Sequence, residues 1–331
     1  MKKNSKKTVA TPHPVRNIVL TLVILIIAGV TTFVCLNFQS VKDYIKSLSF
    51  EPSAEVAKIE EELNLTQKAK TIFAASAPEL NNKDDFNAKC LSYNVEVSVL
   101  GCYANDSIHV YNIKLVELDG IKEATMAHEL LHAVWARMSD NDRNKLSNDL
   151  MTVYSENATL FEDVMEIYSE ESKLNELFAR VGTQVKELPE RLELFYARYF
   201  RDQDQVVGYY DKYSATFKEL KQKSEALSAE ISALNSDIEN TMSEYNSRAS
   251  NLSKEISAFN NCAATAGCFT NSKFRSEHNR LTKEQLIVEN LYNQIQAKID
   301  KYNSLVAEYN NNALHTNSLN NAINSNAPPS L

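Results

Sequence analysis

Apolar residues along this chain follow three rhythms. Across residues 17–38, "NIVLTLVILIIAGVTTFVCLNF", they are almost continuous, and no charge appears until Lys42. A run of about 20 apolar residues predicts a helix that spans a bilayer. Residues 39–208 are mixed. "EPSAEVAKIEEELNLTQKAKTIFAASAPEL" predicts a helix that starts at Pro52 and Ser53 and is stopped by Pro78. "LSYNVEVSVLGCYANDSIHVYNI" is rich in Val, Tyr and Ile, alternates in places and breaks at Gly101 and Asn105, which predicts two or three strands. Asp119–Gly120 is a turn, and helices are predicted at about 121–138, 142–154 (capped by "SDND"), 168–179 and 189–200.

The third rhythm begins near Tyr209. Phe217, Ser224, Ile231, Ile238, Tyr245, Leu252 and Phe259 recur every seventh position. A second seam, Leu220, Leu227 and Leu234, shifts by one residue to Met242, Ala249 and Ile256. After the loop "NNCAATAGCFTNSK" the period returns at Phe274, Leu281, Val288, Ile295, Tyr302 and Tyr309. Sustained heptads on two arms joined by a short loop predict an antiparallel coiled-coil hairpin over residues 209–312, with arms about 60 Å long. Residues 313–331, ending "NAPPSL", read as a disordered tail. The class is mainly α, with an α+β part that carries a small sheet.

Composition sets the compartment. Lys2, Lys3, Lys6, Lys7 and Arg16 precede the apolar run with no acid among them, which predicts a cytoplasmic tail at 1–16, a single-pass cell-membrane anchor at 17–38 and the rest of the chain outside. A cleaved signal peptide is the competing reading. "VCLNFQSVK" offers no small-residue cleavage site, and Cys35 lacks the small residue that precedes a lipidated cysteine, so an uncleaved anchor is favoured. Net charge is -8, which excludes a basic nucleic-acid binder. Four cysteines lie outside the anchor. Three pairings exist, and proximity favours disulfides Cys90–Cys102 and Cys262–Cys268.

The chemistry lies in "TMAHELLHAVW". Residues four apart share a helix face, so His128 and His132 can offer two imidazole nitrogens to one metal ion. Glu129, one position on, is placed to take a proton from water at that ion. In this H-E-x-x-H the chain resembles the zincin metallopeptidases, over about residues 90–200. Met138 stands where a third histidine would make a metzincin. "NELFA" at 175–179 is similar to the glutamate-donating helix of the gluzincins, which makes Glu176 the candidate third ligand; Glu162, Asp163, Glu166, Glu170 and Glu193 are alternatives. The resemblance implies one zinc ion per chain on His128, His132 and Glu176, with Glu129 as general base and a peptide or protein as substrate. Tyr196 and Tyr199 of "LFYARYF" are candidate oxyanion donors, as is His109. The resulting expectation is a membrane-anchored, extracytoplasmic zinc peptidase whose hairpin offers a surface for a partner or for self-association. Two other readings stand beside it: an inactive scaffold acting through the hairpin, and a zinc hydrolase of cell-wall peptides.

Overall fold

The computed structural model describes residues 14–90, 100–165 and 170–325. The chain divides into two compact units, Met1–Lys212 and Tyr213–Leu331.

The first unit opens with helix α1, Pro14–Leu36. Its Ile18–Leu36 stretch is exposed, and it is long and apolar enough to cross a membrane; a signal sequence near the N-terminus has the same character. Asn37 leaves the helical backbone, and α2 follows at Phe38–Ser47. The single helix expected over 52–78 is two, α3 (Ala54–Glu62) and α4 (Gln67–Ala75). Asn64 takes a left-handed φ of 48°, which ends the first helix. Ser53 and Thr66 each accept the backbone N–H of the third residue of the helix that follows, Val56 and Ala69, so each helix has its own N-cap. Leu65 bridges to Phe200 in the break, tying it to the far end of the unit.

Strand β1 (Glu79–Asn81) and helix α5 (Lys83–Cys90) were not legible as such. β2 (Gly101–Ala104) and β3 (Ser107–Tyr111) form a hairpin through Asn105 and Asp106, both at positive φ, as a two-residue turn of this kind requires. The sheet order is β1-β3-β2, with β1 parallel and β2 antiparallel to the central strand. A strand expected within 91–99 lies outside the described residues. Cys90 and Cys102 are bridged, which staples the end of α5 to β2.

The turn before the next helix needs its glycine. Gly120 sits at φ +97°, and a Cβ there would be 2.6 Å from the Tyr209 carbonyl oxygen. Helix α6 (Ile121–Ala136) then runs through the middle of the unit, with Met126, Ala127, Leu130, Leu131, Ala133 and Val134 buried. It packs against α9 (Glu170–Gln184), β2, β3, α3 and α4, while α7 (Asp140–Glu156, N-capped by Ser139) packs on α9, α8 (Ala158–Met165) and α10 (Glu190–Tyr196). Truncating a core leucine such as Leu130 to alanine should cost about 2–5 kcal/mol.

At the end of α6, Arg137 closes a charged cluster. Its guanidinium meets both carboxylate oxygens of Asp43 on α2, at 2.9 and 3.0 Å, and Asp106 in the β2–β3 turn at 3.0 Å. It also donates to the Tyr103 hydroxyl at 2.8 Å, and Lys42 and Lys46 reach the other oxygen of Asp106. Burial alone would raise the Asp106 carboxyl, but Lys46, Tyr103, Lys42 and Arg137 together hold it well below the usual carboxylate range.

The second unit pairs the greater part of α11 (Gln203–Ala263) with α12 (Asn271–Ile323). Contacts step down one helix as they step up the other: Lys223 with Glu308, Lys301 with Glu230, Tyr245 with Tyr292, Arg280 with Glu255 and Phe259 with Phe274. That is antiparallel pairing. The seam on α11 does not shift at Met242, which is 44% exposed. It continues through buried Thr241, one heptad after Leu234. Helix α12 runs on to Ile323, past the start expected for a disordered tail, and Leu319 is buried within it. Cys262 and Cys268 are bridged across the loop between the helices.

Candidate metal centre

One helix face and one neighbouring helix build the site. His128 and His132 project from the same side of α6 with rings at 80° to each other and Nε2 atoms 3.1 Å apart. One donor atom from each of His128, Glu129 and His132 lies within 4.8 Å of the other two, so this group can hold a metal ion.

Helix α9 packs along α6 and adds two consecutive residues. Asn175 Oδ1 lies 3.0 Å from His132 Nδ1. Glu176 Oε2 lies 3.3 Å from His132 Nε2 and 3.7 Å from His128 Nε2. The other oxygen of Glu176 accepts from Arg180 Nε at 2.6 Å, one turn further along α9. Glu176 is buried at 4% exposure.

These atoms fit an ion. Donors about 2.0–2.1 Å from a tetrahedral centre stand about 3.3 Å from one another, and the three edges here bracket that length. With Asn175 accepting, His132 Nδ1 carries the ring proton and a neutral His132 turns a bare Nε2 lone pair toward the carboxylate. The electrostatics agree. Burial alone would lower His132, but the Glu176 hydrogen bond and the charges of Glu129 and Glu176 lift it to about 9. His128 is lowered, chiefly by burial. Burial would raise Glu176, yet the two imidazoles pull it well below its ordinary value. The pocket therefore draws positive charge, whether a proton or a cation.

Glu129 points to the adjacent side, under the sheet. A Cβ on Gly101 would fall 2.7 Å from Glu129 Oε1, so only glycine lets β2 pass this close. The backbone N–H of Tyr103 on the same strand donates to the carboxylate. Burial pushes the Glu129 carboxyl up to about 7, against the charge of His132 and with that of Glu176.

No family model, curated protein or solved structure matches this chain. The site is read from its own geometry.

Of the sequence candidates, His128, Glu129, His132 and Glu176 come together. The tyrosines are occupied elsewhere. Tyr196 is fully buried and its hydroxyl donates to the Phe178 carbonyl at 2.7 Å. Tyr199 accepts from Lys68 and lines a separate cavity of about 380 Å³ beside Tyr44, Arg137 and Arg198. His109 faces Glu79 on the neighbouring strand, at 3.6 Å. Among the alternative ligands, Glu193 is exposed on α10. The side chains of Glu162, Asp163, Glu166 and Glu170 lie outside the described residues. Sequence reasoning missed Asn175, Arg180 and Gly101. The first two were within reach, since Asn175 directly precedes Glu176 and Arg180 follows it by one helical turn.

Proposed function

We propose that this chain is a single-pass, membrane-anchored zinc peptidase whose hydrolytic unit lies outside the cell. The observation that carries the reading is the convergence of His128 Nε2, His132 Nε2 and Glu176 Oε2, with the buried carboxyl of Glu129 one step along the same helix. These three atoms would hold the zinc ion. So held, zinc supplies a Lewis acid that acidifies water and polarises a peptide carbonyl.

The remaining work falls to the chain. Glu129 would take the proton of the attacking water and pass it to the departing amine, from a carboxyl that burial raises. Asn175 fixes the tautomer and tilt of His132, and Arg180 holds Glu176 so that one oxygen faces the imidazoles. Helix α1 serves as the anchor, and the basic residues before it favour a cytoplasmic N-terminus. The two disulfides suit an oxidising, extracytoplasmic setting.

The test uses the full chain purified in detergent. Metal content is measured, and a peptide library is incubated with and without a chelator. Expected results are one zinc per chain, chelator-sensitive cleavage, and a Glu129→Gln variant that keeps its zinc but turns over about 10²–10⁴-fold more slowly. A Glu129→Gln variant that cleaves as fast as the parent overturns the mechanism and moves the function to the hairpin.

A further inference from the structure

Helix α2 is amphipathic the wrong way round for a helix in water. Its polar side is the docked side: Asp43 is buried against Arg137, Gln39 donates to Asp43, and Lys42 and Lys46 close on Asp106. Its apolar side is the bare one. Phe38, Ile45 and the C-cap residue Leu48, with half-buried Val41 between them, form one stripe opposite Asp43. Phe38 is 65% exposed, Ile45 62% and Leu48 70%, with Tyr44 on the flank at 59%. A helix on a soluble protein buries such a stripe and solvates its charges.

The position of α2 in the chain indicates what covers this stripe. Only Asn37 separates α2 from α1, whose Ile18–Leu36 stretch of 19 residues has the length of a bilayer span. We propose that α2 lies in the headgroup region of the membrane that α1 crosses, with Phe38, Ile45 and Leu48 turned to the acyl chains. The inference rests on reading α1 as an uncleaved anchor. Aromatic and apolar side chains on one face and lysines on the other are the composition of such interfacial helices.

The arrangement reaches the metal centre. Arg137, which grips Asp43, is the C-cap of α6. It follows His132 by five residues on the same helix, about 7.5 Å along the axis. A helix seated in the lipid surface and bound to Arg137 sets the height of the candidate site above that surface. The substrate class that follows is peptide segments close to the membrane.

The experiment reconstitutes the full chain, carrying Cys35→Ser, in vesicles of phosphatidylcholine and phosphatidylglycerol. Single cysteines at Leu25, Ile45 or Leu48 are labelled with a fluorophore, and quenching by aqueous iodide is compared with quenching by lipid-borne nitroxides. Expected are strong nitroxide quenching at all three positions, from shallow nitroxides at Ile45 and Leu48 and from deep ones at Leu25, and at least about fivefold less iodide quenching than for free label. Free iodide access at Ile45 and Leu48, with Leu25 protected, overturns the interfacial placement and leaves the anchor intact. Protection at Ile45 and Leu48 from both quenchers means that a second copy or another protein covers the face, which also overturns it. Iodide access at Leu25, or a chain that starts after Cys35, removes the anchor and this inference with it.

Discussion

Buried polar groups occur in both units, and they are balanced differently. In the hairpin buried Asn312 and Thr241 are answered across the seam. Asn312 donates to the Leu220 carbonyl and the Ser224 hydroxyl, and Thr241 accepts from Lys298, which also meets Asp237. The Arg137 cluster of the first unit is closed in the same way, with three cations set among two carboxylates. At the candidate metal centre the pattern is different. Two imidazole nitrogens and a carboxylate oxygen turn to one point, and Arg180 reaches them from behind, through the other oxygen of Glu176. Burial of polar groups alone does not mark a site; convergence of donor atoms at the spacing of an ion's ligands does.

The contrast breaks most sharply on the donors. His128→Ala or His132→Ala should weaken zinc binding by more than about 100-fold, since losing even an outer partner costs about 10–100-fold. Glu176→Gln should follow them, and metal analysis after dialysis checks all three. A Glu176→Gln variant with full zinc would exclude that carboxylate from the ligand set.

Acidity gives the next effect. With His132 held at about 9 in the metal-free pocket, binding an ion must expel its proton. The sign is therefore fixed: affinity rises with pH, by about tenfold per unit or about 100-fold between pH 6 and 8. Competition with a zinc indicator across that range would read it, and a flat profile would mean that His132 is neutral before the ion arrives. Asn175→Ala, which frees the His132 ring, should weaken zinc by about 10–100-fold and leave the melting temperature of the apo-protein almost unchanged.

Two smaller changes lie away from the site. Asn312→Leu should destabilise the hairpin by about 1–3 kcal/mol and leave metal content intact, because it strips the half-buried Ser224 hydroxyl and Leu220 carbonyl of their donor. A loss of metal in that variant would overturn the claim that the hairpin layers are self-contained. Burial raises the carboxyl of Glu123 on α6, one of whose oxygens has no hydrogen-bond partner among the described residues. Its folded pKa lies above its unfolded one, so its contribution to stability is present below the ordinary carboxylate value and is lost as pH rises through the folded value. Glu123→Gln should then stabilise the chain by roughly 1 kcal/mol at neutral pH, seen as a raised melting temperature that fades in acid.

Much of this arrangement was legible where periodicity was long. The apolar run, the heptads and the i, i+4 histidines each follow from spacing alone, and both disulfides followed from proximity. The errors fell on short elements. The break at Asn64 depends on one left-handed residue and a bridge to Phe200, far away in sequence. β1 has three residues, and its neighbour is supplied by tertiary contact. The seam at Met242 misled because Thr241 is the less apolar of two adjacent residues, yet Lys298 on the opposite arm gives it a partner. Tyr196 and Tyr199 carried the right functional groups, but a hydroxyl's direction is fixed by packing, which the sequence of one helix does not disclose.

The Cys90–Cys102 bridge also has a consequence for timing. It clamps the strand whose Gly101 backbone lies against Glu129 and whose Tyr103 N–H donates to it. Closing a loop of this length removes about 3 kcal/mol of freedom from the unfolded chain. In a reducing cytoplasm that clamp is missing, and β2 is held over Glu129 by its pairing with β3 and by the contacts of Tyr103 with Arg137 and Asp106. The proposed hydrolase would thus reach its full rigidity in two stages, with the cover of its base looser until the chain has been exported and oxidised. A newly made chain would be safe to the cell that makes it, and mild reduction of the mature protein should slow turnover before it releases the metal.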